Sequence, residues 1–403
     1  PAPSPSCPLS PFVSSRLRVP LSPPLVRRDS SQKRAPNGTP PAFIPPMAHR
    51  LLPIITALAA MISIPALSAP KGLEIYWIDS EGGGSTLLVT PSGESILVDA
   101  GNPGPRDAGR IHKVATETAG LKRIDHLIVT HFHIDHFGGV ADLAELMPIE
   151  NLYDKGLPDP ATPPDAGANA KLWAINSAPY RQAKVSRRIT LKPGDSVPLK
   201  QNGAPLSLKC LAANRDRIAA PAGALATSDC QASAIATKPD SSDNAASVVL
   251  LLQLGDFRFF DGGDLTMEME EKLVCPTNLV GTVDLYQVNH HGLDVSNHPR
   301  LVKALAPTVS VMNNGPRKGT SSIAMSALRS SPNLQAMYQV HENVRADGEN
   351  NAPPEYIANR GDLGESCAAH FIKCKVESDG SRFDIQLPHA KHSRTFSTRP
   401  KTP

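Results

Sequence analysis

Nothing in this 403-residue chain repeats the runs of roughly 20 apolar residues that a multi-pass membrane protein needs, so a polytopic transporter is excluded. Cysteine is sparse, six residues in all, and none lies in a Cys-x-x-Cys array, so a structural cysteine zinc site is not expected. No short-period repeat is visible, which removes solenoid architectures. Histidine is absent from residues 140 to 260, a gap that matters below. Charge of one sign is lacking too, since the formal net charge is only +3. What is present is a 40% hydrophobic share, too high for wholesale disorder and enough for one large domain or two ordinary ones.

Proline is in excess, 40 residues, but the excess is local: 13 fall within residues 1–46, among Ser and Arg and without apolar periodicity. Such a segment buries too little surface to offset its ordering entropy, so 1–46 reads as a disordered or untranslated prefix. The first methionine, Met47, opens a short basic stretch to Arg50. Leu51 to Ile64 is apolar apart from Pro53, Thr56 and Ser63, and Pro65-Ala-Leu-Ser-Ala69 carries small residues. Residues 47–69 therefore read as a secretory signal peptide, which predicts a secreted or periplasmic protein with no integral membrane segment after cleavage. The remainder, 70–403, is expected to form one domain. Removing the +5 of the prefix and the charge of Arg50 leaves about −3, so net charge gives no argument for nucleic acid as partner. Export permits disulfides among Cys210, Cys230, Cys275, Cys367 and Cys374. The local pairs Cys210–Cys230 and Cys367–Cys374 are the expectation, with one thiol left over.

Along this domain, 73–78, 85–90 and 95–99 read as strands, 106–119 as a helix, 124–130 as a buried strand and 138–147 as a helix. An irregular excursion follows over about 156–246, Pro/Ala/Asp-rich to 184 and Ala/Ser/Asp-rich from 212, with short strands expected over 186–210. Residues 247–254 and 257–260 predict a hairpin across Gly255-Asp256, 267–273 a helix, 283–288 a strand, 299–305 a helix and 309–312 a strand. Residues 371–387 predict a second hairpin around Ser378-Asp379-Gly380. Strands, then mixed strands and helices, twice over, indicate two sheets with helices outside.

The chemistry falls at strand ends. Thr130-His-Phe-His-Ile-Asp-His-Phe-Gly-Gly139 follows the buried strand and places three imidazoles and a carboxylate within six residues. His131 and His133 converge from a turning loop, while Asp135 and His136 start the next helix. This nitrogen and oxygen donor set suits zinc. Val98-Asp99-Ala-Gly101, Phe260-Asp-Gly-Gly-Asp264 and Val288-Asn-His-His-Gly292 add carboxylates and imidazoles after other strands. Each alone is weak, because Asp before Gly is an ordinary turn former. All four in this order carry the argument.

In these motifs the sequence resembles the metallo-β-lactamase-fold hydrolases, and more closely their ComEC-type, competence-protein-like branch. The counterparts run from Ile78-Asp79 and Gly82–Leu87, through Leu97–Gly101 and His131–Gly139, to Asn244–Ser247, Gly263-Asp264 and His290-His291-Gly292. The resemblance covers about 73–315 and implies an α/β fold, the four-layer αββα metallo-β-lactamase sandwich. It also implies two zinc ions, with Mn or Fe as alternatives, sharing a hydroxide that attacks a small-molecule or polymer phosphodiester. His131 and His133 would hold the first ion, Asp135 and His136 the second, and Asp264 would bridge. One of His290 and His291 would complete the set; His290 is favoured as nearest the strand end, leaving His291 to meet the substrate anion. Asp135, Asp264, His290 and His291 would thus form the catalytic group. Asp99 would orient a ligating imidazole. The third histidine motif of many relatives has no counterpart in the 140–260 gap, where Asp243 or Asn244 stands instead, so the third ligand of the first ion is open. Hydrolysis of a lactam, lactone or thioester, and a non-catalytic metal-binding role, are the alternatives. Arg317, Lys318 and His341 are weaker candidates for contact with substrate. Trp77, Trp173 and Tyr286 are expected in the core rather than as base-stacking platforms.

Overall fold

A computed structural model describes residues 71–227, 230, 239–346, 350–361 and 364–400. The prefix and the signal-peptide expectation lie outside these residues. The first half forms strands β1 (Leu73–Trp77), β2 (Thr86–Val89), β3 (Ser95–Val98), β4 (Ile124–Ile128), β5 (Ile149–Asp154) and β6 (Val185–Thr190), with helices α1 (Pro105–Lys113), α2 (Ile134–Phe137), α3 (Val140–Leu146) and α4 (Ala170–Gln182) between them. The second half forms β7 (Leu206–Ala213), β8 (Asp216–Arg217), β9 (Val249–Leu254), β10 (Phe257–Asp261), β11 (Leu285–Gln287), β12 (Val309–Met312), β13 (Ala336–His341) and β14 (Ile357–Asn359). Its helices are α5 (Met267–Val274), α6 (Pro299–Leu305) and α7 (Ser322–Arg329). The chain then returns as β15 (Ile372–Val376), β16 (Arg382–Leu387) and β17 (His392–Ser397).

Among the described residues one sheet has the order β17-β16-β15-β1-β2-β3-β4-β5-β6 and the other β14-β13-β12-β11-β10-β9-β7-β8. Alternation along β1 explains the layering. Leu73, Ile75 and Trp77 face the second sheet and pack with Leu252, Phe257 and Phe259, the Trp77 and Phe259 rings meeting edge-on at 5.9 Å. Tyr76 faces outward with Leu97, Leu127, Ile111 and Leu143, under α1 and α3, where Trp173 and Tyr180 of α4 join. On the far side Met269, Leu273, Leu301, Leu305, Met325 and Leu328 lay α5, α6 and α7 on the second sheet. Each large apolar side chain so buried stabilises by about 1.5–3 kcal/mol. The result is the four-layer αββα arrangement. Trp77, Trp173 and Tyr286 are all buried in it. No described helix is long and apolar enough to cross a membrane.

Three expectations need correction. The stretch read as irregular holds α4, capped by Asn169, whose side chain accepts from the Leu172 amide at 3.2 Å, and carrying Pro179 inside it. Its Ala/Asn/Ser composition and internal proline mask a helix that Trp173 and Tyr180 hold down by tertiary packing. The chain after 312 also adds α7, β14 and β17, whose short or polar stretches carry no clear periodicity. The disulfide is neither expected pair: Cys230 bonds Cys275, with Cα atoms 5.6 Å apart. Cys210 and Cys374 instead point into the core between the sheets, and the Cys367 thiol donates to Asp79.

Candidate metal centre

β3 to β6 run parallel, as do β10 to β14, so several strands of each sheet end on one side. In open α/β sheets the carboxyl ends of parallel strands are where functional loops collect. Here the loops after β3, β4, β10 and β11 supply the four motifs. Asp99 leaves β3 with φ 60°, and its carboxylate accepts from the Thr130 amide and the Thr130 hydroxyl, both at 2.8 Å. Those bonds tie the end of β3 to the end of β4 and set the direction of His131. Gly84 permits the approach, because a Cβ there would stand 2.6 Å from His136 Nδ1 and 2.8 Å from Asp99 Oδ2. Across the cleft, Gly263 (φ 54°) passes so close to Thr130 that a side chain would collide, which brings Asp264 against the histidines.

Asp264 is the hub. Its Oδ2 lies 3.2 Å from His136 Nε2, 3.4 Å from His290 Nε2 and 3.7 Å from His131 Nε2, and its Oδ1 lies 3.4 Å from His291 Nε2. At this centre two groups have ligand atoms close enough to share an ion, His131, His133 and Asp264, and Asp135, His136 and His291; among the described residues a third such group, Asp79, His341 and Cys367, lies apart from it. The donor chemistry fits. His131 Nε2 is fully buried and has no hydrogen-bond partner, which an imidazole tolerates poorly unless a cation takes the lone pair. In each of the five imidazoles one nitrogen is held from behind. Thr130 Oγ1 stands 3.0 Å from His131 Nδ1, Asp165 carboxylate 3.2 Å from His133 Nε2 and Asp99 Oδ2 2.7 Å from His136 Nδ1. Ser296 Oγ lies 3.2 Å from His290 Nδ1 and the Asn313 carbonyl 2.8 Å from His291 Nδ1. Holding one nitrogen fixes the tautomer and frees the other.

The electrostatics follow from burial and neighbours. Burial, together with the neighbouring His136, pushes His131 well below the ordinary histidine range. Burial also opposes a charge on His136, but Asp264, Asp99 and Asp135 outweigh it and hold its pKa well above the usual value. Burial works against an ionised Asp264 too; His136, His291 and His290 override it and keep it well below the carboxylate range. Desolvation carries His290 down to about 4.

The adjacent pair is divided differently from the expectation. His290 and His291 both adopt left-handed backbone (φ 50° and 55°), which is unfavourable outside glycine and turns their side chains apart. His291, not His290, joins Asp135 and His136, with its Nε2 3.2 Å from His136 Nε2. His290 Nε2 faces the Asn244 amide at 3.4 Å as well as Asp264. Lys318 turns inward, its Nζ 2.6 Å from Asp135 Oδ2, while Arg317 on the same hairpin is exposed. His341 does not reach the centre: it is buried at the end of β13, with Nε2 2.7 Å from Asp79 Oδ1. Asp79 also pairs with Arg110 at 3.1 Å.

Sequence reasoning missed most of the supporting layer, including Asp165, which lies in the excursion. Asp243, expected near the first ion, instead accepts from the Phe132 amide at 2.6 Å and from Lys155 at 2.5 Å, and Asp264 is the third member of the group with His131 and His133. Glu270 of α5 is buried and accepts from Asn289 Nδ2 and the amides of Asn297 and His298 at 2.6, 2.8 and 2.6 Å. The one sequence signal was acidic residues inside otherwise unpatterned or helical stretches, which spacing alone does not distinguish from solvated ones.

The profile of the Metallo-beta-lactamase superfamily matches residues 79–179. Thioesterase pkgB of Emericella nidulans is 34% identical over 115 residues, 28% of this chain and 30% of that protein. A metal-dependent hydrolase of Polynucleobacter asymbioticus is 32% identical over 95 residues, 24% of this chain and 32% of that one. The chain thus spans about a third of the length of these curated relatives. The crystal structure of the metallo-beta-lactamase fold protein YhfI from Bacillus subtilis aligns with a TM-score of 0.39 at 10% identity, over 66% of this chain and 95% of that one. The profile match across the His131–Gly139 motif and the two-sheet architecture together give the metallo-β-lactamase fold.

Proposed function

We propose that this chain is an exported binuclear metal hydrolase that cleaves a phosphodiester. One observation carries the reading: His131, His136, His290 and His291, each with one nitrogen held from behind, direct the other toward Asp264 or Asp135, and His133 stands within ligand-sharing distance of His131 and Asp264. His131, His133 and Asp264 would hold one ion and Asp135, His136 and His291 the other, zinc being the metal the donor set favours. When bound, the pair supplies an acidified water and a Lewis-acid clamp on the oxygens of an in-line displacement. The protein's part is to orient and to place charge. Asp99 aligns His136, Asn313 aligns His291, and Lys318 sets an ammonium beside Asp135 where an anionic substrate would need one. Two divalent ions against two carboxylates, with Lys318 added, leave a site that favours an anion, which supports a phosphodiester over a neutral ester. The order of the motifs supports the ComEC-type branch. The signal-peptide pattern of 47–69 and the Cys230–Cys275 disulfide support export.

A second reading rests on a specific feature. A cavity of about 180 Å³ opens beside His133 and is lined by Phe132, Ile134, Phe137, Leu172 and Trp173. An apolar acyl group would fill it, which favours a thioester or lactone, and thioesterase is the name of one relative. The full chain, loaded with zinc, should hold two ions by elemental analysis and turn over a chromogenic phosphodiester faster than a thioester, lactone or lactam. His133→Ala should lose both metal and turnover. Two ions with cleavage of the acyl substrates alone would move the assignment to the second reading. Two ions with no turnover of any of the four would support a non-catalytic metal-binding protein.

A further inference from the structure

Four of the five imidazoles are held by the loops that follow β4, β3, β11 and β12, through Thr130, Asp99, Ser296 and the Asn313 carbonyl. His133 alone is held from the excursion between β5 and α4, by Asp165. Both carboxylate oxygens of Asp165 lie 3.2 Å from His133 Nε2. We propose that Asp165 is the positioning residue that fixes His133 for the metal, so that the excursion is a working part of the centre. This inference rests on the binuclear reading above.

The geometry has the form of a clamp. Asp165 Oδ1 accepts from the Asp243 amide at 2.6 Å. Asp243 in turn accepts from the amide of Phe132, the residue between the two ligating histidines, at 2.6 Å. Its other oxygen is paired with buried Lys155 at 2.5 Å. The His-x-His loop is therefore gripped at its central amide by Asp243 and at its second imidazole by Asp165, and the two aspartates are joined to each other. Pro163 and Pro164 precede Asp165 and restrict the backbone that delivers it. A carboxylate that accepts a hydrogen bond from Nε2–H of His133 leaves the lone pair on Nδ1 and raises the basicity of the ring. Asp165 touches the nitrogen that is then unavailable to metal, so it acts through His133 and not as a ligand. Nor is Asp165 the loop's sole fastening. Trp173 Nε1 donates to the Asp159 carbonyl at 3.0 Å, and Arg181 bonds the Pro158 carbonyl, so the loop keeps its own fastenings. Substitution at 165 should leave the fold intact.

The test is metal titration of the full chain after chelation, with cobalt and zinc, comparing the native protein with Asp165→Ala and Asp165→Asn. Asp165→Ala should weaken one of the two sites by about 10–100-fold and shift its cobalt absorption bands, with the other site unmoved. The thermal midpoint of the metal-free protein should fall only slightly, by the loss of the one bond to the Asp243 amide. Asp165→Asn, whose amide oxygen still accepts from His133, should recover most of the affinity and the native spectrum. If Asp165→Ala binds both ions with native affinity and spectrum, the proposal is wrong and the binuclear reading stands. A loss of affinity that Asn does not rescue, accompanied by an equal loss of metal-free stability, would assign Asp165 to the fold and also overturn the proposal. A native protein that binds no metal would overturn the binuclear reading and this inference with it.

Discussion

At His136 two effects oppose each other, and the carboxylates prevail. Burial disfavours a charge there, and Asp264, Asp99 and Asp135 restore it, so the metal-free folded chain holds a proton more tightly than an unfolded histidine at 6.5. A pKa raised on folding contributes stability that is complete below the unfolded value and is lost as pH rises through the folded one. The chelated protein should therefore melt at progressively lower temperature as pH is raised from 6.5 through that folded-state value. The zinc-loaded protein should not, because the ion takes the place of the proton. Thermal melts with and without chelator across that range decide the point; parallel curves would contradict it. Lys318 gives a second residue-scale expectation. Its ammonium donates to the Gly82 carbonyl and to Asp135, and its removal leaves the Asp135 carboxylate in place for metal, so Lys318→Ala should spare the metal count. It should lower kcat/KM for an anionic phosphodiester about 10–100-fold, while a neutral thioester loses little; a single charge-assisted contact is worth about 1.5–3 kcal/mol.

Among the elements, α5 does more than cover the second sheet. Glu270 sits on its buried face and receives three hydrogen bonds from the segment that carries His290 and His291. Desolvation raises its pKa to about 7, so the segment is braced by a carboxyl group near its own titration point. Glu270→Ala would strand three buried donors and should cost about 3 kcal/mol or more in urea unfolding, with reduced metal content. Loss of stability below about 1 kcal/mol would contradict the bracing role. The helix was legible from Met267 onward through its spacing, but Glu270 was not, since an acidic residue in an amphipathic helix reads as solvent-facing until its neighbours are known. The hairpin of β9 and β10 and the strands carrying the four motifs were legible because local alternation and turn chemistry determine them. Helix α4 and Asp165 were not, because their order comes from contacts with Phe132, Phe137 and His133. The division of His290 and His291 was also hidden, because it depends on two residues in left-handed backbone that no propensity favours.

For the molecule as a whole, the Cys230–Cys275 bond fastens the segment after β8 to the end of α5 across a sequence separation of 45. Closing a loop of that length should stabilise by about 2–4 kcal/mol. Cys275→Ser should lower the urea midpoint accordingly and leave both zinc ions in place, since neither cysteine touches a ligating residue. A loss of zinc in that variant would mean that the bond shapes the centre directly. The pairing was out of reach of sequence spacing, because the partners meet only after the second sheet has formed. The same distance governs how the centre comes into being. His136 and His291, which stand nitrogen to nitrogen, are 155 residues apart in sequence. A chain emerging from synthesis presents the whole His131–His136 motif long before Asp264 or His291 exists to meet it. On the binuclear reading, a complete site for metal would therefore exist only once the two sheets have brought these loops together, so the ions would act as a late fastening of the fold.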